Sequence, residues 1–126
     1  MNVPDGLLYS KDHEWVLVTG SAARIGITDF AQDALGDVVF VQIPSTGITV
    51  SAGESFSEVE STKSVSDIYA PVSGTVAAVN GAIESDPSLL NTDPYGAGWI
   101  CEITMSNTDE IGQLMSASDY ATFTAG

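Results

Sequence analysis

The sequence predicts a mainly β protein, a small β-sandwich or flattened barrel carrying short peripheral and C-terminal helices. Three observations point there. Runs rich in valine, isoleucine and threonine recur at short intervals along the 126 residues. Glycine-centred turns punctuate them. Helix signals are few: one short segment after Thr28, a single turn near 88–91, and the stretch beyond Asn107. That pattern belongs to one β core with helices at its margin. A chain of this length is expected to form a single domain over residues 1–126, with a modest core needing neither disulfide nor metal.

Residues 7–9 and 14–19 (E-W-V-L-V-T) read as strands, and Gly20-Ser21 turns the chain back into 22–27, making a first hairpin. His13 is the one histidine, so neither a Ser-His-Asp triad nor a multi-histidine metal site can be assembled, and a structural role is expected. Thr28 caps a short helix over 29–35: Asp29 suits its positive end, Phe30, Ala31, Ala34 and Leu35 share a face, and Gly36 ends it. Residues 37–43 (D-V-V-F-V-Q-I) are the most β-prone run and are expected at the centre of a sheet. Pro44 ends that strand, and 44–53 holds two glycine turns around a short one.

Residues 56–69 read as strand, tight turn, strand, with Lys63 near the tip. After Ala70-Pro71, residues 72–80 form another strand, in which Gly74 marks a bulge or a point of close packing. Residues 80–98 turn polar around Pro87 and Pro94 and read as a long surface excursion with a helical turn near 88–91. In 99–105, Trp99, Cys101, Ile103 and Met105 alternate with Ile100, Glu102 and Thr104, which makes Cys101 a small core residue and not a nucleophile. Asn107 and Glu110 resemble a capping box opening a helix over 108–115, with Ile111, Leu114 and Met115 as its apolar stripe. A last helix near 119–123 pins the C-terminus through Tyr120 and Phe123.

Composition removes whole classes of function. Seventeen acidic residues against three basic ones give a formal net charge of −14, which rules out a nucleic-acid surface, because phosphate contacts need lysine and arginine. The same charge would steer basic partner surfaces or suit a saline cytoplasm. Cys101 is the only cysteine, so no internal disulfide forms. The N-terminus lacks a charged region followed by an apolar run, and no stretch approaches the roughly 18 apolar residues of a membrane span, so a cytoplasmic protein engaging no membrane is expected. There is no P-loop, G-x-G-x-x-G, H-E-x-x-H or paired-cysteine motif. The sequence therefore offers no self-contained active site.

Lys63 shares the role of cation with only Lys11 and Arg24, and it stands among Glu58, Glu60 and Asp67 with Ser61, Thr62, Ser64 and Ser66 beside it. Taken alone it reads as a surface lysine paired with carboxylates, worth a fraction of a kcal/mol. Four blocks change that reading: Y-S-K-D-H-E-W (9–15), I-G-I-T-D-F-A-Q-D-A-L-G-D-V-V-F-V (25–41), E-S-T-K-S-V-S-D-I-Y-A-P-V-S-G (60–74) and N-T-D-P-Y-G-A-G-W-I (91–100). In this order, over nearly the whole chain, they resemble the H proteins of the glycine cleavage system.

The resemblance implies a lipoyl/biotinyl-domain-like barrel-sandwich hybrid and lipoic acid in amide linkage on Lys63. It implies that the arm visits a pyridoxal-phosphate glycine decarboxylase that loads an aminomethyl group, a tetrahydrofolate-dependent aminomethyltransferase that removes the carbon unit and releases ammonia, and dihydrolipoamide dehydrogenase, which reoxidises the dithiol. A lipoate-attaching enzyme completes the set of partners, and a monomer is expected. Tethering raises the arm's effective concentration at each docked active site. Glu14 and Asp67 match family positions that hold the loaded amine, and Asp12 stands where a serine is usual. Ala34 stands where some members have a histidine.

Three neighbouring functions compete. A biotin carrier would flank its lysine with methionines, whereas Thr62 and Ser64 stand here. A 2-oxoacid dehydrogenase lipoyl domain would show aspartate before the lysine and a linker to a larger enzyme. A paralogous lipoate carrier serving lipoate relay or sulfur oxidation is the alternative that local residues leave open.

Overall fold

The computed structural model describes residues 2–125. In chain order they form β1 (Leu8–Tyr9), β2 (Glu14–Thr19), β3 (Ala22–Ile27), α1 (Asp29–Leu35), β4 (Val38–Gln42), β5 (Thr49–Val50), β6 (Ser55–Ser61), β7 (Val65–Tyr69), β8 (Gly74–Val79), α2 (Ala82–Ser85), α3 (Leu89–Thr92), β9 (Cys101–Met105), a 3-10 helix (Thr108–Gln113) and α4 (Ala117–Ala125). One sheet runs β1-β2-β3-β9-β8-β5 and the other β4-β6-β7, with every neighbouring pair antiparallel. Their inner faces share one apolar core: Ile25, Val76 and Ile103 from the larger sheet are buried with Val41, Val59 and Ile68 from the smaller. This is the flattened sandwich the alternating strands predict.

The local signals hold. Gly20-Ser21 joins β2 to β3 in register from Glu14–Ile27 to Thr19–Ala22. Thr28 Oγ1 accepts from Ala31 N at 3.2 Å, and Gly36, at φ +78°, ends α1 with its N–H on Gln32 O. Cys101 is fully buried, and that burial pushes its thiol up to about 12, so it stays a protonated core residue.

Tertiary packing overrides four expectations. Residues 37–43 do form a strand, but β4 lies at the edge of the smaller sheet, while β3, β9 and β8 take the interior of the larger. β propensity reports fit to a pleated surface and not strand order. The register slips between Val38 and Phe40, a bulge of the kind that protects an edge. Residues 80–98 are more than a surface excursion, because Ile83 on α2 and Leu90 on α3 are wholly buried in the main core. Between them and the site, Asn91 donates to Gly36 O at 2.8 Å and accepts from Val38 N at 2.9 Å. The segment thus welds the end of α1 to the start of β4.

The helix over 108–115 is a shorter 3-10 helix, and its capping box is only half made. Asn107 Oδ1 accepts from Asp109 N at 3.1 Å, but Glu110 turns away to take Ser73 N at 2.7 Å and Ser73 Oγ at 2.8 Å. The N-terminus of β8 competes for the carboxylate and wins. Finally, Tyr120 anchors α4 with Ala117 buried beside it, and Phe123 adds little. Tyr120 is wholly buried and stacked on Tyr9 at 4.6 Å, whereas Phe123 is half exposed. Gly74 is a close-packing point, with the β8 irregularity falling between Val76 and Ala78.

Candidate functional site

Lys63 sits on the three-residue link between β6 and β7, exposed as the sequence predicts. Ser61, which the sequence places beside Lys63 with no role assigned to it, organises this tip. Ser61 Oγ accepts from Lys63 N and Ser64 N, each at 3.1 Å, while Ser61 N donates to Ser64 O at 2.8 Å. A serine bonding the amides two and three residues on is the usual hydroxyl turn, so its signal was present in S-T-K-S. Thr62 N donates to Asp37 O at 3.0 Å, tying the tip to the strand beside it. The lysine is held out on a rigid turn.

Its stem crosses Gly36. A Cβ at that glycine would lie 3.0 Å from Lys63 Cε, so the residue that ends α1 also clears space for the lysine. The ammonium consequently sits by the carbonyl end of α1, which suits a cation. Among the described residues the one ion pair is Arg24–Glu102, at 2.8 Å, so the bland reading of Lys63 as half of a surface salt bridge does not describe this structure.

Beside the tip lies a cleft of 280 Å³ between α1 and β7. Phe30, Ala31, Ala34, Leu35 and Ile68 make its apolar walls, Ser64 and Ser66 stand at the hairpin, and Asp12, His13 and Asp67 add polar groups. Ala34, where a larger side chain would narrow it, leaves the cleft open. His13 has the structural role expected of it: Nδ1 lies 2.7 Å from Tyr120 Oη, and the ring stacks on Phe30 at 4.4 Å. Tyr120 Oη also lies 2.7 Å from Thr28 Oγ1, so α4 braces the α1 wall of the cleft. Burial holds the His13 imidazole below its ordinary value against the opposing charge of Asp12.

The three carboxylates do not share one cavity. Asp67 is exposed on the cleft side and accepts from Ser55 Oγ at 3.3 Å. Glu14 lines a second cavity of 540 Å³, together with Ser10, Ala70, Glu110 and Leu114, and Asp12 borders both. Glu14 is only 1% exposed. Its Oε1 takes Ser10 Oγ at 2.5 Å, and its Oε2 takes Tyr69 N at 3.4 Å. Desolvation lifts its pKa from 4.5 to about 7, with Asp12 adding to the rise and the Ser10 and Tyr69 bonds opposing it.

This gives a pH dependence with a definite sign. A carboxyl whose pKa is raised by folding binds a proton more readily folded than unfolded, so stability falls as pH climbs from 4.5 to about 7 and is level beyond. The displacement corresponds to about 3 kcal/mol. In chemical denaturation, Glu14→Gln should therefore gain on the natural protein progressively over that window. A stability difference independent of pH would mean that Glu14 titrates normally.

Compared with known proteins, the chain matches the glycine cleavage H-protein profile over residues 7–125. It is 56% identical over 126 residues to the glycine cleavage system H protein of Micrococcus luteus, covering 98% of each chain. Against that of Mycobacterium avium it is 56% identical over 117 residues, covering 92% of this chain and 89% of the relative. The crystal structure of a glycine cleavage system H protein from Mycobacterium marinum superposes with a TM-score of 0.90 at 47% identity, covering 98% of this chain and all of that one. Its fold is thus the lipoyl-domain-like barrel-sandwich, and the chain belongs to the glycine cleavage H-protein family.

Proposed function

We propose that residues 1–126 form a single lipoyl-carrier domain of the glycine cleavage system, with lipoate joined to Lys63 and no catalytic site of its own. The observation that carries this is an exposed lysine, on a turn rigidified by Ser61, next to Ser64 on the wall of an apolar cleft. The site fits the group: walls of Phe30, Ala31, Ala34, Leu35 and Ile68 suit a hydrocarbon arm, and carboxylates suit an amine at its end. When bound, lipoate supplies a disulfide that can accept and hand on a one-carbon amine unit. The partners are a glycine decarboxylase, an aminomethyltransferase, dihydrolipoamide dehydrogenase and the lipoate-attaching enzyme, and the setting is the cytoplasm. Among the described residues no helix is long and apolar enough to cross a membrane.

In this reading the cationic end of the cargo is held where the two cavities meet at Asp12, with Asp67 on one side and Glu14 on the other. Asp12, at the border of the two cavities, supplies charge where the family usually places a serine, and Asp67 adds charge from the rim. Glu14, deeply buried, contributes an acceptor fixed in place by Ser10. Charge-assisted bonds of this kind are worth about 1.5–3 kcal/mol where shielded. The double variant Glu14→Gln, Asp67→Asn should be lipoylated normally yet release ammonia from the loaded protein roughly tenfold faster in the absence of folate. Equal decay of the two loaded proteins would make these carboxylates bystanders.

A further inference from the structure

The outer face of the smaller sheet carries an apolar patch beside the lysine tip. Phe40 on β4, Glu60 on β6 and Val65 on β7 are direct cross-strand partners, so their side chains share a face. The adjacent row, Val41, Val59 and Ser66, turns inward. Phe40 is 49% exposed, Val65 58% and Val39, at the bulge, 54%. Single exposed apolar residues are ordinary, but a group of them beside a reactive side chain marks a contact surface. Glu60 stands between Phe40 and Val65, and the next row outward on the same face is Gln42, Glu58 and Asp67, so carboxylates lie within the patch as well as along its border.

We propose that this face docks the enzyme that acylates Lys63, through an apolar socket rimmed by lysine or arginine. The inference rests on Lys63 as the attachment site. Reach selects the occupant. Enzymes that use the finished arm meet it at the far end of a long tether, whereas the attaching enzyme must bring its active site to Nζ itself, on the hairpin whose strands carry Glu60 and Val65. In that step Nζ attacks the carbonyl carbon of a lipoyl-adenylate, the amide C–N bond forms, the bond from that carbon to the adenylate phosphate oxygen breaks, and the lysine proton passes to base. Charge sets the rim: the chain carries −14 overall, and acidic residues flank the patch.

The test separates docking from chemistry by titrating the full-length Lys63→Arg protein, which cannot be acylated, against a lipoate–protein ligase preloaded with lipoyl-adenylate. Adding Phe40→Ser should weaken binding about tenfold and Val65→Thr about threefold, with unfolding midpoints unchanged because both side chains are exposed. With Lys63 intact, the same substitutions should raise KM for the unmodified protein by similar factors and leave kcat within twofold. Normal acylation of Lys63 with unchanged affinity in both variants would overturn the docking face alone. A dimer dissolved by Phe40→Ser, with ligase affinity unchanged, would assign the patch to a second copy instead. Lipoate found on Lys11 would overturn the attachment site and this face with it.

Discussion

Replacing Lys63 by arginine should leave a folded protein that accepts no lipoate and carries nothing between enzymes. The side chain is exposed, makes no ion pair among the described residues and hangs from a turn held by Ser61 and Asp37 backbone, so the fold loses nothing when its head group changes. Arginine keeps the charge beside the end of α1 but cannot form the amide, because its guanidinium stays protonated and is a poor nucleophile. Intact-mass measurement after exposure to ligase, ATP and lipoate should show one added lipoyl group on the natural chain and none on Lys63→Arg, with superimposable unfolding curves. Glycine-dependent carrier turnover should be abolished, not reduced. Full activity in the arginine variant would end the carrier reading.

Gly74→Val should be the most damaging single substitution for stability. A Cβ at position 74 would stand 2.1 Å from the Thr104 carbonyl oxygen and 2.7 Å from Ile103 Cγ2. The first of these is backbone, in the strand that pairs Gly74 with Met105 and Thr75 with Thr104, so β8 and β9 must separate to admit any side chain. Overpacking usually costs about 1–3 kcal/mol, and an obstacle that cannot rotate away belongs at the upper end. For a chain of this size the unfolding midpoint should fall on the order of 10 °C. Because the clash begins at Cβ, Gly74→Ala should lose most of the same stability, and an alanine variant as stable as the natural protein would refute the close-contact account. Lys63 stands on a different sheet, so well below the lowered midpoint the valine variant should be lipoylated at the normal rate.

Much of the site was legible because its signals are local. Thr28 and Gly36 bracket α1 by capping and by a positive φ, Gly20-Ser21 closes the first hairpin, and alternation in residues 99–105 buries Cys101. The lysine tip was legible as a turn between two β-prone runs, and four sequence blocks tied it to its family. In each case the deciding interactions lie within a few residues of one another, so short-range pattern is enough.

What only the tertiary structure decided depends on partners far away in the chain. Alternation shows which residues of 37–43 share a face, but strand order is set by long-range pairing, and that put β4 on an edge with Phe40 outward. Ile83 and Leu90 look like stray apolar residues in a polar stretch until two sheets leave an open end for them to close. Glu110 carries a capping signal that Ser73, 37 residues distant, takes over. Glu14 is the sharpest case. In the sequence it is one carboxylate among seventeen at the head of a strand, and only the closure of Ser10 and Tyr69 around it removes the water that would keep its pKa ordinary.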